Sequence, residues 1–173
     1  PDLHSTLAGT RVNVALLQLE QGQLDAAKRS LEEGRPYHLA ALKANPHNPT
    51  YRQFYRNHLR VLTRVHAGLL EADEAVRTAH RRRDLGWDPP ADAYDAARFL
   101  SLCIPIVAQH DQLEAAKQKE AAQFYADAAM TLLQHAVSKG FKDVKKLEKD
   151  ADFAPLRERE DFKKLLAELT GKD

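Results

Sequence analysis

The chain is short of several things, and each shortage excludes something. A single cysteine, Cys103, in 173 residues leaves no intramolecular disulfide framework and no multi-cysteine zinc site. Seven glycines and eight prolines are too few for a collagen-like or low-complexity chain. No long uncharged apolar run is present, so no membrane-spanning segment is expected. Neither charge dominates: 26 basic against 25 acidic residues gives +1, which argues against a general nucleic-acid binder while leaving local patches open. Isoleucine occurs twice and valine eight times, against 27 alanines and 24 leucines. That ratio favours helix, because Ala and Leu lose little on entering a helix while β-branched residues lose χ1 freedom. The first residue is Pro1, with no positively charged stretch leading into an apolar one. We therefore read no secretory signal and expect a piece of a longer protein.

Helical patterns fill the chain. The first covers about 3–21 and ends at Gln21-Gly22-Gln23. The second runs from Leu24 towards Ala44 with Leu24, Ala27 and Leu31 on one face. Pro36 lies inside it, where a kink is expected and a true break is the alternative. Asn48 is placed to cap a third helix, with Pro49 in its first turn, running to about Ala67. A fourth covers about 71–84. Asp88 and Pro89 open a fifth that reaches about Gln109, bent at Pro105. A long sixth, about 114–139, carries Tyr125, Ala129, Leu132, Leu133 and Ala136 on one face and stops at Gly140. A short helix follows Asp143, and a last one spans about 158–170, stopped by Gly171. No segment alternates convincingly enough for a strand, so stacked helical hairpins are the simplest way to bury these stripes.

Three segments read alike: an apolar helix, a short turn, then a helix opening with small residues. The second helices carry Ala27 and Leu31, Ala75 and Ala79, and Ala129 and Leu133 with Ala136-Val137. The first helices carry Val14-Ala15, Leu62-Thr63 and Ala96-Ala97 at matching places. This pattern resembles the tetratricopeptide repeat. The spacings of 48 (Ala27 to Ala75) and 54 (Ala75 to Ala129) exceed that family's typical ~34, so the repeats are degenerate. The resemblance implies an all-α, right-handed superhelix in one domain over 1–173. Its hairpins would be at about 3–44, 49–84 and 89–139, with a C-terminal capping segment at 141–170. Phe141, Leu147, Phe153, Leu156, Phe162, Leu165 and Leu166 can supply that cap, because the end of such a stack exposes an apolar face.

The ends carry a second likeness. The run 3–10 continuing to Asn13, the tail 136–143, and the segments 150–157 and 161–166 are similar to repeat regions that follow the catalytic domain of serine/threonine protein kinases in planctomycete-type bacteria. The implied parent is a signalling kinase. The kinase motifs themselves are absent: Asp152-Phe153-Ala154 lacks the glycine of the metal-binding triplet, and no Gly-rich loop or His-Arg-Asp motif occurs.

In tetratricopeptide repeats the first helix of each hairpin lines a concave groove. The resemblance places Val12, Asn13 and Leu16, then Arg60, Val61 and Arg64, then Tyr94, Asp95 and Arg98 on that face. Asn13 falls where the family often carries a backbone-binding asparagine. Arg60, Arg64 and Arg98 would offer guanidinium forks to carboxylates. The functional expectation is a groove for an extended or acidic peptide, with Asn13, Arg60, Arg64, Asp95 and Arg98 as its binding residues. The plain alternative is arginines pairing with Glu71, Asp92 or Asp95.

Other chemistry has weak support. Eight histidines are scattered without a His-Glu-x-x-His motif, so no metal or other cofactor is expected. Cys103 sits among Ile104 and Ile106 and reads as a small hydrophobe. The run His80-Arg81-Arg82-Arg83 suits a solvated helix C-terminus, with an anion contact as the alternative. The expectation is a non-catalytic protein–protein interaction module whose partner is a protein or peptide, cytoplasmic by default. Its rivals are a self-association module, a nucleic-acid contact through His80 to Arg83, and a helical enzyme.

Overall fold

The computed structural model describes residues 1–171, and among these the chain is all-helical, with no strand. The helices are α1 (Asp2–Glu20), α2 (Leu24–Ala44), α3 (Pro49–Gly68), α4 (Ala72–Arg83), α5 (Pro89–Ser101), α6 (Cys103–Ala108), α7 (Ala115–Ser138), α8 (Val144–Lys149) and α9 (Glu160–Thr170), with a 3-10 helix at Ala151–Leu156 before α9. The chain forms two compact units, Pro1–Ala75 and Val76 onward.

The caps follow the sequence. The Asn48 side chain accepts from the backbone N–H of Thr50 at 2.9 Å and of Tyr51 at 3.2 Å. Asp88 accepts from Ala91 N–H, and Asp143 from Lys146 N–H. Each satisfies a donor that the first helical turn leaves orphaned. Helix α2 runs unbroken through Pro36. The proline is exposed, so the carbonyl four residues earlier, on Glu32, loses its partner on a solvated side. Pro105 acts differently. It removes the N–H that would bond Ser101, and the expected single bent helix becomes α5 and α6, separated at Leu102.

In the first unit α1, α2 and α3 pack together. Contacts fix their directions. Along α1 and α2, His4 meets the Tyr37 ring, Arg11 pairs with Glu33, and Gln18 accepts from Ser30 Oγ at 2.8 Å, so these two run antiparallel. Along α1 and α3, Asp2 accepts from Tyr51 Oη, Gly9 lies against Phe54, and Val12 and Ala15 share a core with Val61, Leu62 and Val65, so these two run parallel. Ala27 and Leu31 of α2 complete that core, both fully buried. A fully buried leucine contributes roughly 1.5–3 kcal/mol.

In the second unit α5 and α6 lie against α7, and the 3-10 helix covers α5. The small positions of the repeat pattern, Ala96, Ala97, Ala129 and Ala136, are completely buried, as close helix approach requires. The tail is an integral part of this core. The Tyr94 ring stacks on Phe141 with centroids 4.4 Å apart and meets Phe153 edge-on at 5.3 Å. Leu147, Phe153 and Leu156 are fully buried.

Candidate functional site

Parallel packing of α1 and α3 leaves a shallow pocket of about 230 Å³, lined by Thr6, Gly9, Thr10, Val12, Asn13, Phe54 and Asn57. Thr6, Thr10 and Asn13 follow helical spacing and bring one edge of α1 to the rim. Gly9 makes the hollow: a Cβ there would stand 3.1 Å from Phe54 Cε2. Asn57 accepts from Gln53 Nε2 at 3.1 Å, which leaves its carboxamide nitrogen as a donor. Asn13 is exposed with its carboxamide unengaged among the described residues. Carboxamides present one acceptor and two donors each, the pattern a peptide backbone complements.

The lining contains no Asp, Glu, His, Cys, Lys or Tyr side chain. At about 230 Å³ it is smaller than the ~300–1,000 Å³ typical of small-molecule sites. It has room for one or two side chains.

Of the five residues singled out from sequence, Asn13 lines this pocket. Arg64 lies two helical turns beyond Asn57, near the same face of α3, and Arg60 lies beside it. Both are half-buried. Their suggested partner, Glu71, is engaged by Lys28 Nζ at 2.7 Å and by His66 Nδ1 at 2.6 Å. The Lys28 ammonium holds the Glu71 carboxyl below the usual carboxylate range, against the opposing effect of its burial, with His66 adding to the depression.

Asp95 and Arg98 belong to the second unit and take part in its internal ion pairs. Arg98 Nη2 donates to Asp152 Oδ2 at 2.5 Å, its Nε lies 3.0 Å from Asp150, and its Nη1 lies 3.4 Å from Asp95. Arg82 Nη2 donates to Asp95 Oδ2 at 2.6 Å. Tyr94 Oη donates to Asp150 at 2.8 Å, and burial together with that carboxylate pushes the phenol well above its ordinary range. The α5 face therefore braces the tail.

The His80–Arg83 run is divided. Arg82 is fully buried and bonded to the fully buried Asp92, whose other oxygen accepts from Trp87 N–H at 2.8 Å and Asp88 N–H at 3.1 Å. Arg83 pairs with Asp84. Burial and the nearby Arg83 charge lower the His80 pKa. A solvated basic face does not form around Arg82, because two aspartates of α5, Asp92 and Asp95, draw its guanidinium inward.

A second hollow is lined by Asp143, Lys145, Lys146, Lys149 and Asp150. It is a facet of one short helix and its flanks. Among the described residues no three His, Cys, Asp or Glu side chains converge to hold a metal ion, and no helix is long and apolar enough to cross a membrane. Compared with family models, curated proteins and solved structures, the chain returns no match.

Sequence reading missed Thr6, Thr10, Phe54 and Asn57. For the α3 residues a signal was present: residues 34–70 contain no Asp or Glu. That stretch marks α3 as a helix of unusual charge.

Proposed function

We propose that this chain is a non-catalytic protein–protein interaction module of tetratricopeptide type, belonging to a signalling protein such as a serine/threonine kinase. It binds an extended peptide segment in the groove between α1 and α3. The observation that supports this is the parallel pairing of α1 and α3 with α2 antiparallel to α1. Successive hairpins of a tetratricopeptide stack place their helices in this relation. The groove so formed is uncharged along its lining, presents Asn13 and Asn57 to a peptide backbone, and receives one or two side chains above Gly9 and Phe54. Asp95 and Arg98 act in this reading as braces of the tail.

A self-association reading rests on a separate observation. Helix α1 exposes Leu3 (79%), Leu17 (59%) and Val14 (37%), a concentration of solvent-facing apolar side chains on one helix. Sedimentation at micromolar concentration would detect a dimer, and Leu3→Lys with Leu17→Lys would dissolve it.

The peptide reading is tested by capture on a peptide array, with wild type beside an Asn13→Ala, Asn57→Ala variant and helicity checked by circular dichroism. Loss of captured peptides with folding intact is the expected result. Equal capture by both proteins, or none by either, would remove the groove.

A further inference from the structure

Helix α3 carries Arg52, Arg56, Arg60 and Arg64 at intervals of four and no acidic residue. The acid-free stretch around it, residues 34–70, adds Arg35 and Lys43. In a chain whose net charge is +1, this is a local concentration of one sign. Two of the four matter most. Arg60 and Arg64 have no ion pair among the described residues, and Arg60 Nε is shielded from solvent without a hydrogen-bond partner. Three carboxylates of the same unit are engaged elsewhere: Asp2 by Tyr51, Glu33 by Arg11, Glu71 by Lys28 and His66.

Like charges four residues apart on a helix repel each other. A single carboxylate in this position would balance one guanidinium and leave the other. A phosphate monoester carries about −1.5 to −2 charges at pH 7 and three acceptor oxygens. It can take a fork from each arginine, and arginine suits it better than lysine because its donors are planar and paired. The neighbouring groove sets what carries the phosphate. Its lining of carboxamides and hydroxyls, narrow and with one half-buried ring at Phe54, suits a peptide backbone. It lacks the row of exposed aromatic platforms on which single-stranded bases stack.

We infer that Arg60 and Arg64 form an anion site for a phosphorylated side chain of a peptide lying in the α1–α3 groove. The inference rests on the groove proposed above and adds the chemistry of its occupant. Phosphorylation of the partner then strengthens its binding.

The test uses the full chain and a short degenerate peptide library with a central phosphothreonine. The unphosphorylated twin and a single-stranded RNA of similar charge are measured at the same ionic strength by fluorescence anisotropy. The expected result is on the order of tenfold tighter binding of the phosphorylated library. Arg64→Gln, folded by circular dichroism, should abolish that difference while leaving weak binding of the unphosphorylated twin. Arg64→Lys should restore part of it. Arg60→Gln is a second variant, set apart because the buried Nε makes it more disruptive. Equal binding of both libraries would overturn the phosphate site and leave the groove standing. Binding of neither would overturn both. Tighter binding of the RNA with the same dependence on Arg64, or a phosphate preference that survives Arg64→Gln, would overturn the assignment.

Discussion

Arg98 of α5 and Asp152 of the 3-10 helix, 54 residues apart in sequence, are joined by Nη2 to Oδ2 at 2.5 Å and by Nε to the same oxygen at 3.1 Å. The Ser101 hydroxyl donates to the Asp152 carbonyl at 2.6 Å. The tail is thus held at both the side chain and the backbone of one residue. Replacing Arg98 with Ala should destabilise the second unit by about 1–3 kcal/mol, the low end applying because the pair is partly solvated. Arg98→Lys should recover only part, since one ammonium cannot reproduce the fork. Chemical denaturation of the three proteins measures the differences, and wild-type stability for Arg98→Ala would refute the bracing role.

Arg82 is a harsher site. Its guanidinium is fully buried on Asp92, which is itself fully buried. Arg82→Met leaves that carboxylate without its counter-charge and should cost about 3–5 kcal/mol. Arg82→Met with Asp92→Asn should be less damaging than Arg82→Met alone. A double variant no more stable than the single one would mean that Asp92 is adequately served by the Trp87 and Asp88 amides.

His38 makes the first unit acid-sensitive. It is 2% exposed among the rings of Tyr55 and His58, and burial lowers its pKa to about 4. Its ordinary value is near 6.5. The unfolded chain therefore binds a proton on His38 at a pH where the folded chain does not. Stability is complete above about pH 6.5, falls as pH drops towards 4, and levels off below. The loss from this one group is on the order of 3 kcal/mol. His38→Phe should flatten the pH 4–6.5 portion of the stability curve, and an unchanged slope would show that other groups carry it.

Gly34 of α2 lies against α1, where an added Cβ would stand 3.0 Å from Arg11 Cβ. Alanine gains roughly 1 kcal/mol of helix propensity over glycine. Arg11 Cβ is fixed to its backbone and cannot swing aside, so the crowding should win. Gly34→Ala is expected to lower the melting temperature, and a rise would show that α1 and α2 have slack.

Much of this architecture was legible in the residues themselves. Asn48-Pro49 and Asp88-Pro89 announced two helix starts, because capping and proline placement are local chemistry. The small residues at Ala27, Ala96 and Ala129 marked positions that are fully buried. Pro36 and Pro105 show where local rules divide. Both remove a donor, yet one sits on an exposed face of a long helix and the other ends its helix. Which outcome follows depends on packing that no local pattern contains. The site was half legible. Asn13, Arg60 and Arg64 stood out by resemblance, but Phe54 and Asn57 join Asn13 only through the parallel pairing of α1 and α3. Arg98 looked available because its partners, Asp150 and Asp152, are more than fifty residues away.

Amide shift mapping of the 15N-labelled chain with one array-captured peptide tests the groove most directly. The account requires the largest shifts at Thr6, Thr10, Asn13 and Asn57, with Leu3 and the α5 residues little changed. Shifts concentrated at Leu3, Val14 and Leu17, or in the second unit, with the α1–α3 groove silent, would contradict it.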